Sequence, residues 1–68
     1  MALVKRSFTI AGHRTSVALE PEFWTALAEI AARRGETLSM LVAALDGERT
    51  PDRPLASLLR VFALQSAR

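Results

Sequence analysis

The sequence predicts a mainly α-helical domain with a short N-terminal β region, folded as a dimer. Three observations predict it. Two short stretches near the N-terminus alternate polar and apolar residues, three later segments repeat apolar residues at helical spacing, and the chain is too small to hide its apolar content alone. The last point is quantitative: below about 70–80 residues a single core rarely supplies more than about 3–5 kcal/mol without disulfides, metal or oligomerisation. With 68 residues, no cysteine and one histidine, disulfides and a structural zinc site are excluded. Self-association remains, and the 50% hydrophobic content gives it apolar surface to use.

Ser7-Phe8-Thr9-Ile10 and Thr15-Ser16-Val17-Ala18-Leu19 have the period of two that marks a strand. Across Ala11-Gly12-His13 the apolar phase changes from even to odd positions, so the two stretches cannot be one regular strand with one buried face. Gly12 marks a turn or bulge. The second stretch, Arg14 to Leu19, needs a partner, either the first stretch or another copy of the chain. The phase break separates residues 1–12, a basic arm or flanking strand, from the main domain at 13–68.

Pro21 suits the first position of a helix, and Glu20 and Glu22 complement its positive end. Phe23, Leu27, Ile30 and Ala31 form one stripe, widened by Trp24 and Ala28, and Arg33-Arg34-Gly35 supplies a C-terminal signal. That helix spans about 21–34. Thr37 caps a second helix with Leu38, Leu41, Val42 and Leu45 on one face, ending near Asp46-Gly47. Residues 47–53 read as a loop. Pro54 opens a third helix bearing Leu55, Leu58, Leu59 and Phe62, with Val61 and Leu64 beside them. Trp24, Phe23 and Phe62 sit among aliphatic residues at helical spacing and read as core, not as stacking platforms.

Charge is distributed unevenly. Residues 1–19 carry three bases and no acid, a net +3, whereas residues 20–68 carry six bases and seven acids, a net −1. The basic end points to a polyanionic partner. No apolar run spans a bilayer and no signal-peptide pattern follows Lys5-Arg6, so the chain reads as cytoplasmic. Catalysis has no support: there is no cysteine nucleophile, no glycine-rich phosphate loop and no histidine with a placed acid. No cofactor or metal is expected.

The order strand, helix, tight turn, helix resembles the ribbon-helix-helix family of prokaryotic repressors. Strand Arg14 to Leu19, helix entry Glu20-Pro21-Glu22 and turn Gly35-Glu36-Thr37-Leu38-Ser39 carry the resemblance over about residues 13–46. Lys5-Arg6-Ser7-Phe8-Thr9-Ile10-Ala11-Gly12-His13-Arg14 and Leu58-Leu59-Arg60-Val61-Phe62 are similar to a bacterial branch of it. The third helix departs from the minimal pattern. The resemblance implies an intertwined homodimer whose intermolecular antiparallel two-stranded ribbon enters the major groove of double-stranded DNA. Alternation turns Val17 and Leu19 inward, leaving Arg14, Ser16 and Ala18 to face bases: Arg14 can bind guanine bidentately, Ser16 can donate or accept, and Ala18 can touch a thymine methyl. The resemblance also implies a phosphate clamp at Thr37, Leu38 and Ser39, where capping alone is the simpler use of the hydroxyls. Lys5, Arg6 and His13 are the further phosphate candidates, against ordinary solubilising charge or turn filling.

A classical helix-turn-helix is disfavoured by the strand before the first helix and by the apolar second helix. The alternative is a protein-interaction module, an antitoxin or adaptor, presenting residues 54–68 to a protein. A chain ending almost with its last helix fits the toxin-binding version less well. The expected function is a transcriptional regulator, a repressor, associated with the nucleoid.

Overall fold

The computed structural model describes residues 2–67. Two strands, β1 (Val4–Ile10) and β2 (His13–Leu19), precede three helices, α1 (Pro21–Arg33), α2 (Leu38–Glu48) and α3 (Leu55–Ser66). β1 and β2 form one antiparallel hairpin in which Ile10 faces His13, Ser7 faces Ser16 and Val4 faces Leu19. The loop is two residues long, and both have positive φ, +52° at Ala11 and +80° at Gly12. That is the signature of a type I′ turn, whose twist matches that of the strands it joins.

The hairpin decides between the alternatives left open for residues 1–12. Residues 4–10 are a strand flanking β2 along its whole length, not a free arm, and they pack as part of the same fold. It also gives the phase change at Gly12 its cause. In a hairpin with a two-residue loop, paired positions have opposite parity, so an even-numbered face on one strand continues as an odd-numbered face on the other. β2 therefore finds a partner within its own chain, the first of the two partners the sequence left open. An intermolecular ribbon has to use the other edge of β2.

Alternation and register give the hairpin two unlike faces. Phe8, Val17 and Leu19 are buried on the inner face. Lys5, Ser7, Thr9, Arg14 and Ser16 are exposed on the outer face, with Ala18 half-buried beside them. Trp24 of α1 fastens the inner face. Its indole is 3% exposed, lies 5.9 Å from the Phe8 ring and donates Nε1–H to the Val4 carbonyl at 2.7 Å.

α1 begins at Pro21 and ends in a Schellman arrangement: the Glu36 and Gly35 N–H groups donate to the Ala31 and Ala32 carbonyls, with Gly35 at φ +70°. The Glu20 side chain makes no capping bond to α1. Its carboxylate instead accepts from Arg60 Nε at 2.9 Å, tying the strand-to-helix junction to α3. The Arg60 hydrogen bond holds the Glu20 carboxyl below its ordinary pKa. α2 buries Leu41, Val42 and Leu45, and Arg49 braces the following loop by reaching Asp46 and the Arg53 carbonyl.

α3 resolves where its apolar stripe goes. Leu55, Leu59 and Ala63 are buried against α1, β2 and α2 of the same chain, with Leu58 and Phe62 packed at the margin. The innermost row is i, i+4, i+8; it keeps Leu55 and Leu59 of the face read from the sequence and adds Ala63, while Leu58 and Phe62 lie at its edge. Leu64 is left outside, 60% exposed.

Two stability measurements check this account. Ala11 occupies a left-handed conformation that costs an L-residue about 1–2 kcal/mol, and asparagine is favoured there. Ala11→Asn should stabilise the protein by about 1 kcal/mol, a rise in Tm of about 4–8 °C for a domain of this size at fixed protein concentration. Leu59→Ala should cost about 2–5 kcal/mol by calorimetry, because α3 completes the core of its own chain. A near-neutral result would mean that the helix is peripheral.

Candidate nucleic-acid interface

The outer face of the hairpin carries two bases, three hydroxyls and one methyl: Lys5, Ser7 and Thr9 from β1, and Arg14, Ser16 and Ala18 from β2. Cross-strand pairs on it are Lys5 with Ala18, Ser7 with Ser16, and Thr9 with Arg14. The Ser7 and Ser16 hydroxyls are hydrogen-bonded at 3.0 Å. No acidic residue lies between Val4 and Leu19, so nothing on the ribbon repels an anion.

The backbone of this face is also available. A type I′ loop is closed by a hydrogen-bonded pair, here Ile10 and His13, and the ladder alternates from there. Arg14, Ser16 and Ala18 consequently turn their N–H and C=O groups away from β1. Lys5, Ser7 and Thr9 turn theirs away from β2.

The expected contact residues separate into three groups. Arg14, Ser16, Ala18 and Lys5 come together on the outer face. Arg6 does not join them: it shares the inner-face parity of Phe8, and its guanidinium lies 5.3 Å from the Trp24 ring centre, a cation–π contact. His13 is exposed at the hairpin tip with the inner-face parity of Val17. Thr37, Leu38 and Ser39 stand on a separate element at the start of α2. There Thr37 Oγ1 accepts from the Met40 N–H at 3.1 Å, a capping bond, and the first turn contains no acid. The N–H groups of Leu38 and Ser39 have no protein acceptor among the described residues. Capping and anion binding are thus compatible here, since the cap uses one N–H and leaves two pointing outward.

Sequence reasoning left Ser7 and Thr9 out of the outer face, because residues 5–10 were read apart from residues 14–19. The signal was present: the parity change across Ala11-Gly12 is what a two-residue hairpin loop produces. The same alternation puts Arg6 in phase with Phe8 and hence away from Lys5.

The sequence matches the ribbon-helix-helix domain over residues 3–67. The chain belongs to the ribbon-helix-helix family. Domains of this family generally serve DNA-binding regulators or antitoxins and generally bind DNA as dimers; the fold is a regulatory, non-enzymatic one. The match takes in β1 and α3 as well as the central strand and helices. A similar solved structure is that of an uncharacterized protein from Bordetella pertussis Tohama I, 32% identical, with a TM-score of 0.81 over 97% of this chain. The present chain spans 56% of that protein. No curated protein matches the chain.

Among the described residues no helix is long and apolar enough to cross a membrane, and no cluster of three or more His, Cys, Asp or Glu side chains could hold a metal ion. The cap can be tested apart from any ligand. Thr37→Ala should destabilise the fold by about 1 kcal/mol in thermal denaturation, whereas Thr37→Ser, which keeps the acceptor oxygen, should stay within a few tenths of the parent.

Proposed function

We propose that the chain is a sequence-specific DNA-binding regulator, a repressor, that acts as a homodimer through an antiparallel ribbon of β2 and the β2 of a second copy. One observation carries the reading: the acid-free outer face of the hairpin, where Arg14 and Ser16 project beside Ala18. The free backbone groups of those same residues suit the second strand, so one edge supplies the dimer and one face supplies the readout.

In this reading Arg14 donates to the O6 and N7 of a guanine, Ser16 bonds a neighbouring base edge and Ala18 touches a thymine methyl. Lys5 and the Leu38 and Ser39 N–H groups take phosphate oxygens, fixing register without reading sequence. Arg6 and His13, proposed phosphate contacts from sequence, contribute only at the margin, since Arg6 is engaged with Trp24 on the other face. The protein works in the bacterial cytoplasm on the nucleoid.

The antitoxin or adaptor reading gains nothing from α3, because Leu55, Leu59 and Ala63 are used within the chain. The described residues 54–67 thus offer a partner only the outward side of α3.

Selection from a random duplex pool, followed by fluorescence polarisation, tests the proposal. Wild-type protein should enrich a two-fold-symmetric site and bind it with strong salt dependence. Arg14→Ala should lose about 1–3 kcal/mol for each half-site and relax preference at one position of each. The absence of salt-sensitive binding by the wild-type chain would sink the proposal. Tm should rise with protein concentration, and sedimentation as a stable monomer of 7.4 kDa would rule out the dimer.

A further inference from the structure

The reading strand has a neighbour that faces the same way, and its position relative to the groove follows from strand spacing. If two copies of β2 pair along their free edges, β1 of each subunit becomes an outer strand and the sheet has the order β1, β2, β2, β1. Adjacent strands lie about 4.8 Å apart, so the outer two are about 14 Å apart centre to centre. The major groove is about 12 Å wide. The central pair fits between the walls and the outer pair does not. β1 must ride over the phosphate backbones.

We propose that β1 is a phosphate rail: Lys5, Ser7 and Thr9 of each subunit contact the two backbones flanking the groove while β2 reads the bases between them. This rests on the ribbon reading above and assigns β1 a part in it. Three features of the hairpin support the assignment. The three side chains alternate onto the outer face in register with Ala18, Ser16 and Arg14. All three can donate a hydrogen bond and none carries negative charge, which is the chemistry a phosphate oxygen requires. Their backbone N–H groups point off the free edge of the sheet, towards the groove wall.

The Ser7–Ser16 hydroxyl bond of 3.0 Å is compatible with a phosphate contact by Ser7. Either oxygen can be the donor, so when one hydroxyl donates to the other, the acceptor's own hydrogen remains for DNA. With Ser16 as the donor, Ser7 keeps its own hydrogen for a phosphate oxygen.

Polarisation titrations over a salt series on the selected duplex and on a scrambled duplex, with folding of each variant checked by circular dichroism, test the rail. Ser7→Ala and Thr9→Val should each weaken binding to both duplexes by the same factor, about 25-fold, which is about fivefold for each of the two net hydrogen bonds the dimer loses, and Ser7→Thr should restore it. Lys5→Ala should reduce the slope of log K against log salt by about 0.9 for each phosphate no longer neutralised, about 1.8 for the dimer. Two results overturn the rail while leaving DNA binding intact. If Ser7→Ala and Thr9→Val change base preference, β1 is itself inside the groove; if all three variants bind like the parent, β1 is only a structural flank. Failure of the wild-type chain to bind either duplex overturns the rail together with the reading beneath it.

Discussion

The arrangement of this protein depends on a turn of two residues. Ala11 and Gly12, both at positive φ, close the hairpin with a fixed register, and a slip of one residue would exchange its faces. One strand would then turn over relative to the other, so that with Phe8 held in the core Val17 and Leu19 would point to water and Arg14 and Ser16 inward. Because the inner face is clamped on Trp24, whose indole both stacks near Phe8 and bonds the Val4 carbonyl, such a slip would bury polar groups without partners while exposing apolar ones. The chemistry of the outer face is thus decided by the turn and enforced by the core.

α3 belongs to the same logic. A hairpin has one apolar side to hide, and two helices of 13 and 11 residues offer limited cover. The third helix inserts Leu55, Leu59 and Ala63 against α1, β2 and α2, and Arg60 reaches Glu20 where the hairpin passes into α1. It thereby braces the junction that orients β2. A small domain with no disulfide gains in this way some of the burial that oligomerisation alone was expected to supply.

Most of the element order was legible because it rests on local signals. The Pro21 start, the Gly35 stop and the Thr37 cap depend on residues within one turn of the helix end, and each forms as the chemistry of proline, glycine and threonine dictates. The outward set Arg14, Ser16 and Ala18 was equally legible, since alternation needs only the apolarity of Val17 and Leu19. Lys5 and Arg6 show the limit. Adjacent in sequence and alike in charge, they were grouped as phosphate contacts, yet consecutive strand residues face opposite ways, and Arg6 ends over Trp24. Ser7 and Thr9 were left out of that face for the complementary reason, that their place opposite Ser16 and Arg14 depends on the pairing of β1 with β2.

The sequence by itself determined the helices, the two alternating strands, the basic N-terminal end and the identity of the residues on each face of β2. Periodicity and end signals are properties of neighbours along the chain, so no knowledge of distant contacts was required. Only the tertiary structure decided that β1 pairs with β2 in the same chain, that Ser7 meets Ser16, that Arg6 turns to Trp24 and that α3 closes its own core. Those outcomes depend on which of several compatible apolar surfaces lie against one another. That choice is made by the shape and volume of the whole core, which no local pattern specifies.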